Sequence, residues 1–137
     1  MHPSPDRFLA GVRPGAPTPL LINERTGRTV SDMVELAVAS STRRTGLLGR
    51  DSFAPGAAIV IAPCWAVHTG FMRFAIDVVF VDRKGRVRKI VTNLPPWRIA
   101  LSYLSYAVIE FAAGSLAKTD VTIGDRLVFN TNAGRDA

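Results

Sequence analysis

The sequence predicts a mainly β fold: a compact antiparallel β-sandwich or barrel-like domain with one or two short helices. Short apolar runs follow one another with turn residues between them, and the sequence shows no long helical period. Strands joined by turns are typical of sandwiches and barrels rather than of doubly wound sheets. The 137 residues are 47% hydrophobic and 20% charged, which suits one globular domain with a full core.

Prolines divide the chain into an arm and a domain. Five prolines fall within residues 1–19, and proline removes a backbone donor and fixes φ, so this stretch resists both helix and sheet. We therefore expect a flexible arm over 1–19, a single β-rich domain over 20–130 and a tail over 131–137.

The strand predictions rest on alternation and on bulky apolar runs. Period two over 30–38 predicts one strand, and the four large apolar residues 78–81 predict a strand buried on both faces. Asp82 to Gly85 supply a turn, which predicts a hairpin. Ser40 or Ser41 can cap a short helix that ends at Leu48. The other expected segments are strands at 20–22, 57–62, 86–91, 106–111 and 126–129 and a helical turn at 114–119.

The net charge is +6, and the basic residues concentrate in the predicted hairpin. A positive balance favours anionic partners. The competing interpretation is a solvated strand, because lysine and arginine protect sheet edges from aggregation. No nucleic-acid motif accompanies the charge, so we favour edge protection and expect no specific nucleic-acid partner. From Asp82 to Arg98 the basic residues are Arg83, Lys84, Arg86, Arg88, Lys89 and Arg98.

Other features predict a cytoplasmic protein. The N-terminal residues lack the basic start and apolar stretch of a secretory signal, and no apolar window is long enough to span a bilayer. A single cysteine, Cys64, excludes an internal disulfide and is compatible with a reducing compartment.

The most unusual polar cluster runs from His68 to Asp77. It holds an imidazole, a hydroxyl, a guanidinium and a carboxylate within ten residues. Histidine can act as acid or base near neutrality, and the Arg73 guanidinium suits carboxylate or phosphate. Asp77 begins the most apolar strand and would need a partner there. Structural roles compete with these: a hydrogen-bonded histidine, an aspartate that binds backbone amides, and an arginine paired with Asp77 or Glu110.

The sequence lacks the residues that several common kinds of catalytic or binding site require. Metal sites usually take three or four His, Cys, Asp or Glu ligands, and the scattered candidates in this sequence predict no metal and no cofactor. The sequence also contains no phosphate-binding glycine loop and no nucleophile elbow. Cys64 and His68 lie closer in sequence than the nucleophile and base of typical pairs.

Residues 67–82, followed by Gly85, resemble the signature of the bacterial and archaeal family known as domain of unknown function 192. Its members typically read His-Thr and then Met-Arg-Phe-Pro-Ile-Asp-Val-Val-Phe. Further matches are 44–50, 96–98, 108–110 with 113–114, and 123–126, so the resemblance extends from Val34 to Phe129. It implies a compact, mainly β fold with a short helix near 41–48, and no established activity. This chain departs from the pattern at Ala75, where proline is usual, and at Gly70-Phe71, whose order is reversed.

Three functional hypotheses follow from the sequence. The leading one is a non-catalytic binding domain for a small anionic or polar ligand, because donors and aromatic side chains occur together without a nucleophile–base pair. One alternative is a protein-interaction or scaffold domain that uses the basic hairpin and the arm. The other is an enzyme in which His68 is the general base and Asp77 or Glu110 orients it. The ligand-binding residues of the leading hypothesis are His68, Thr69, Phe71, Arg73, Trp97 and Arg98.

Overall fold

The computed structural model describes residues 7–13, 19–38 and 50–130. These residues form ten β-strands and one 3-10 helix, so the fold is mainly β, as the sequence predicts. The helix comprises Leu116–Lys118. The strands, numbered in chain order, are β1 Leu20–Asn23, β2 Thr29–Ser31, β3 Met33–Ala37, β4 Ala57–Ile61, β5 Ala66–His68, β6 Ile76–Val81, β7 Val87–Leu94, β8 Ile99–Leu101, β9 Ala107–Ala112 and β10 Leu127–Asn130.

A five-stranded sheet in the order β3-β4-β9-β6-β7 forms the centre of the fold. Its strands pair antiparallel, except that β3 and β4 run parallel, from Met33 opposite Ala57 to Ala37 opposite Ile61. Two smaller sheets accompany it, one in the order β10-β1-β2 and one formed by β5 and β8. Across the described residues the sheets form a sandwich-like domain and no closed barrel.

The central sheet buries apolar side chains on both of its faces. In β6, Val79 belongs to one core cluster and Val78 to the other. The first cluster includes Leu127 of the three-stranded sheet, and the second includes Val67 of β5 and Ala100 of β8. Every residue of β6 is buried, because a strand covered on both faces has no solvent side. The predicted burial of residues 78–81 is therefore confirmed.

The expected segments at 20–22, 57–62, 78–81, 86–91, 106–111 and 126–129 all coincide with strands. The expected strand over 30–38 is divided at Asp32, where the Ser31 hydroxyl accepts the Met33 backbone N–H at 3.2 Å and donates to the Gly56 carbonyl at 2.6 Å. The sequence does not predict β5 or β8. Each is only three residues long, which is too short for an alternating pattern to be recognised.

Helical structure within the described ranges is one 3-10 turn, Leu116–Lys118, which lies inside the predicted helical turn at 114–119. The helix expected at 41–48 lies outside the described residues. In the part of the chain that the structure describes, no helix has the length and apolarity needed to cross a bilayer.

Part of the proline-rich arm contributes to the core. Phe8 is buried, its backbone N–H donates to the Arg83 carbonyl at 2.7 Å, and its ring lies 5.0 Å from that of Phe129. The ring packs onto Gly85, whose φ of +85° suits glycine and where an added Cβ would collide with Phe8 and the Leu127 carbonyl. The sequence does not predict this contact, because proline content describes the backbone and says little about one aromatic anchor.

Candidate functional site

Thr69 lies at the centre of the predicted cluster and is completely buried. Its hydroxyl donates to the Pro95 carbonyl at 2.6 Å and accepts the Arg98 backbone N–H at 2.8 Å. Its carbonyl accepts the backbone N–H groups of Met72, at 3.1 Å, and Trp97, at 3.0 Å. Thr69 therefore joins the turn after β5 to the turn before β8. Because its hydroxyl is already bonded to backbone groups, it positions the site rather than offering a free donor.

Phe71 and Trp97 project from the two turns that Thr69 joins. Their side chains are 74% and 62% exposed, and the ring centroids lie 4.6 Å apart in an edge-to-face arrangement. Both residues have a φ of 65°, in the left-handed region that bulky residues rarely adopt. Such a conformation costs of order 1–3 kcal/mol per residue and persists only where the surroundings enforce it. We call Phe71 and Trp97 the aromatic platform.

His68 and Arg98 lie beside the aromatic platform. His68 is exposed on β5, opposite Ile99 of β8. A Cβ added at Gly70 would lie 3.5 Å from His68 Nδ1 and 3.7 Å from the Trp97 ring, so glycine leaves the imidazole and the indole close together. The Arg98 side chain is exposed and donates to the Trp97 carbonyl at 3.2 Å. An imidazole, a guanidinium and two aromatic rings therefore share one surface.

Arg73 is exposed and forms an ion pair with Asp51. The structural alternative considered for this arginine was an ion pair with Asp77 or Glu110, and that alternative is wrong, because its partner is Asp51. Both of those carboxylates are buried in the central sheet, whereas Arg73 precedes β6 on the surface and meets a carboxylate from the segment before β4.

Asp77 has a structural environment. It is buried in β6, and one carboxylate oxygen accepts the Asn93 N–H at 2.8 Å. The other oxygen accepts the N–H groups of Gly114, at 3.0 Å, and Leu116, at 3.1 Å. Asp77 thereby connects β6 to the end of β7 and to the start of the 3-10 helix. This is the amide-binding role that a buried aspartate at this position was expected to have if it was structural.

Glu110 is buried in the middle of β9, where it is paired with Ile59 of β4 and Val78 of β6. Its Oε2 atom has no hydrogen-bond partner. Burial raises the pKa of Glu110 to about 7, and the nearby positive charge of Arg50 opposes that rise. Arg50 itself is held by a two-pronged contact with Glu35, at 3.1 and 2.8 Å.

The structure does not bring His68 together with either candidate orienting carboxylate. Within the described residues, no hydrogen bond joins His68 to Asp77 or Glu110. The same part of the chain contains no group of three or more His, Cys, Asp or Glu side chains that could hold a metal ion.

The basic hairpin uses several of its side chains within the fold. Arg86 donates to the Gly124 carbonyl at 3.1 Å, and Lys89 donates to the Leu101 carbonyl at 2.8 Å. The Arg83 guanidinium lies over the Tyr106 ring, 4.7 Å from its centroid.

A second pair of exposed aromatic residues, Trp65 and Tyr103, was not predicted from the sequence. Their ring centroids lie 5.6 Å apart, beside the turn of the basic hairpin. These two residues are distant in sequence and meet because Ala66 pairs with Leu101 where β5 and β8 join. The only sequence signal for them is the occurrence of tryptophan and tyrosine next to expected turn residues.

The family described as Uncharacterized ACR, domain of unknown function 192, matches residues 21–129. The chain belongs to this family. The match covers the signature run with His68, Thr69 and Asp77 and extends to β10, so the resemblance seen in the sequence is confirmed. No curated protein matches the sequence significantly.

Two solved structures share the fold. One, from Sinorhizobium meliloti, is described as a candidate transcription regulator; it is 30% identical, with a TM-score of 0.71, over 82% of this chain and 92% of that one. The other, from Novosphingobium aromaticivorans, is described as a protein of unknown function; it is 21% identical, with a TM-score of 0.69, over 80% of this chain and 82% of that one. The arrangement of sheets described above is thus shared with both of these proteins.

Proposed function

We propose that this chain is a non-catalytic binding domain, and that its site is the aromatic platform together with His68 and Arg98. The ligand is a small anionic or polar molecule. One observation carries the proposal: Phe71 and Trp97 are held outward on left-handed backbone, and a buried threonine fixes the two turns that carry them.

The geometry of the platform suits a ligand with a flat apolar face and a polar edge. The exposed rings offer a stacking surface, and the Arg98 guanidinium supplies forked donors for carboxylate or phosphate. The His68 imidazole adds a donor or acceptor at the same edge. The backbone hydrogen bonds of Thr69 already hold the two turns in place, so less conformational entropy is lost on binding, which raises affinity for a given contact area.

The alternative of an enzyme finds less support. A general base works within hydrogen-bond reach of its substrate and of the group that orients it. Asp77 is bonded to three backbone amides, and Glu110 lies in the interior of the central sheet. Binding without chemistry is therefore the function that the arrangement supports best.

A thermal-shift titration tests this proposal. Inorganic phosphate, citrate and glucose represent the phosphates, organic acids and sugars that fit the surface. We expect at least one of them to raise Tm, because a ligand that binds only the folded state stabilises it. Trp97→Ala and Arg98→Ser should each abolish that rise. Ile123→Ala removes an exposed apolar side chain from the turn that is bonded to Val87, at the other end of β7 from the platform, and should leave the rise intact. A rise that survives Trp97→Ala and Arg98→Ser would contradict the proposal.

A second candidate function is a protein-interaction domain, and a specific observation favours it. Strand β8 exposes Ile99, which is opposite His68, and Leu101, which is opposite Ala66, and exposed apolar surface of this kind is typical of interaction sites. The description of one related structure as a candidate transcription regulator is compatible with such a role. Sedimentation velocity tests the simplest form, self-association: Ile99→Ser with Leu101→Ser should shift a dimer to monomer, and a monomeric wild-type chain would count against self-association.

A further inference from the structure

A groove of about 530 Å³ lies at the opposite end of the β5–β8 pair from the aromatic platform. The turn of the basic hairpin forms one wall, and the segments before β5 and after β8 form the other. Its lining includes Trp65, Tyr103, Tyr106, Asp82, Arg83 and Lys84.

Backbone hydrogen bonds fix the walls of the groove. The Cys64 N–H donates to the Tyr106 carbonyl, and the Ser102 N–H donates to the Trp65 carbonyl, each at 2.8 Å. The Tyr106 N–H donates to the Val81 carbonyl, also at 2.8 Å, and so connects the aromatic wall to the hairpin strand. The groove is thus a built feature of the fold rather than a gap between loose loops.

Two cations on the hairpin turn face this groove without a counter-ion. In the part of the chain that the structure describes, the side chains of Arg83 and Lys84 form no ion pair and no hydrogen bond. Asp82 is the one acidic residue in the lining, and its Oδ1 accepts the backbone N–H groups of Lys84, at 2.9 Å, and Arg86, at 3.0 Å. The Asp82 carboxylate is thus directed at the turn rather than at either cation, and the lining carries two positive charges against one negative charge.

The aromatic wall presents ring surface to solvent. Trp65 is 50% exposed and Tyr103 is 80% exposed, and their rings are tilted by 48° against each other. Tyr106 differs, because the Arg83 guanidinium already covers it. Exposed rings of this kind stack on planar heterocycles.

The positive surface continues beyond the groove. A smaller cavity of about 180 Å³ shares Arg83 and Tyr106 with it and is completed by Arg7, Leu9 and Ala10 of the N-terminal segment. Arg7 therefore adds a third cation in the adjoining cavity, which suits a ligand with more than one phosphate.

We propose that this groove binds nucleotide units, with the base stacked on Tyr103 and Trp65 and the phosphate on Arg83 and Lys84. Unpaired cations next to exposed aromatic rings supply the two contacts that a nucleotide needs and that neither a plain phosphate nor an apolar ligand uses in full. A free mononucleotide and a nucleotide within a single strand share this chemistry. The proposal concerns a different surface from the aromatic platform and is independent of the function proposed above.

Tryptophan indole resonances test the proposal directly, because the chain has only two tryptophans, one at each surface. The 1H–15N signals of Trp65 and Trp97 are recorded at low ionic strength while the full chain is titrated with AMP, an oligoadenylate or inorganic triphosphate. We expect a saturable movement of the Trp65 signal with AMP, the oligoadenylate or both. A response to AMP that the oligomer does not strengthen identifies a free nucleotide, and a response to the oligomer alone identifies a single strand.

The variants separate the base from the phosphate. Tyr103→Ser should raise the Kd about tenfold through lost stacking, and Arg83→Ser with Lys84→Ser should raise it by at least about tenfold through lost charge. Arg88→Ser removes one positive charge from the same hairpin outside the groove and should change the Kd by less than about twofold.

Three results would overturn the proposal. The first is a Trp65 signal that moves with neither AMP nor the oligoadenylate. The second is triphosphate binding as tightly as AMP with Tyr103→Ser having no effect, since the base would then play no part. The third is an equal loss of binding in Arg88→Ser, which would indicate a diffuse charge effect. Trp65 reports on the groove and Trp97 reports on the aromatic platform. Absence of binding at one of these surfaces therefore leaves the conclusion about the other unchanged.

Discussion

Thr69 shows how one buried side chain can determine a surface. Its hydroxyl accepts the backbone N–H of Arg98, and its carbonyl accepts the backbone N–H of Trp97. The platform therefore depends on a residue that is buried away from any ligand. A hydroxyl that is buried and fully bonded is expensive to remove, because its partners are left without hydrogen bonds.

Thr69→Val therefore carries the first prediction. It keeps the shape of the side chain and deletes the hydroxyl, so we expect the free energy of unfolding to fall by about 1–3 kcal/mol. Urea denaturation measures the loss. Thr69→Ser retains the hydroxyl and should lose less, so equal stability of the valine and serine variants would show that the hydrogen bonds are not what stabilises the turns.

Glu110 carries the second prediction, which concerns pH. Its pKa is raised from 4.5 to about 7 by burial, so between these values the folded chain keeps a proton that the unfolded chain has lost. The contribution of Glu110 to the free energy of unfolding is therefore greatest below pH 4.5. It declines as pH rises towards 7, by about 3 kcal/mol in total. The free energy of unfolding of Glu110→Gln, measured by chemical denaturation between pH 4.5 and 7, should not show this decline. A wild-type profile that rises with pH, with no difference from the variant, would refute the raised pKa.

At the level of secondary-structure elements, the family signature, residues 67–82, includes β6 and the turn that precedes it. The sequence correctly predicts that 78–81 is buried on both faces, because successive strand residues point to opposite faces and all four of these are large and apolar. The sequence also gives amide binding as a structural role for Asp77, and Asp77 does bind backbone amides. It does not predict which amides are bound, since Asn93, Gly114 and Leu116 come from segments that only the tertiary structure brings to β6.

Asp77→Asn tests that role and is the third prediction. The amide replaces one carboxylate oxygen with an NH₂ group, so it cannot accept all three backbone N–H groups that point at the site. We expect a loss of about 1–3 kcal/mol in the free energy of unfolding. The remaining oxygen can serve only one side, so amide hydrogen exchange at Leu116 or at Asn93 should quicken more than exchange within β4. Unchanged protection at both amides would contradict the assignment.

The site illustrates the limit of predicting elements from sequence. Residues 66–68 and 99–101 are too short to show a period. Their pairing nevertheless sets His68 opposite Ile99 and places the aromatic platform and the nucleotide groove at opposite ends of the β5–β8 pair. Of the six residues predicted to bind a ligand, His68, Phe71, Trp97 and Arg98 lie on one surface, and their binding role stays a prediction. Thr69 and Arg73 are engaged elsewhere, with the backbone and with Asp51, because side-chain partners depend on packing rather than on residue type.

At the scale of the whole molecule, a central sheet is covered on each face by a smaller sheet, and the N-terminal segment adds to one side. Phe8 belongs to the cluster that contains Leu127, and its ring rests on Gly85 and near Phe129. The described part of the arm is therefore attached to the domain by an aromatic anchor.

Phe8→Ala is the fourth prediction and measures that attachment. Deleting a buried phenylalanine ring leaves a cavity, so we expect the free energy of unfolding to fall by about 3–5 kcal/mol. Arg13→Ala removes an exposed side chain from the same segment and should change stability by less than about 0.5 kcal/mol. Equal stability of Phe8→Ala and the wild-type chain in urea would mean that the segment is not part of the folded core.

The Trp97 indole resonance is a direct probe of ligand binding at the platform, because the indole is part of that surface. The 1H–15N signal is followed while inorganic phosphate, citrate or glucose is added to the full chain, with assignments from Trp97→Phe and Trp65→Phe. The proposed function predicts a saturable movement of the Trp97 signal with at least one of the three, lost in Arg98→Ser. A Trp97 signal that stays in place with all three, in a folded chain, would contradict it.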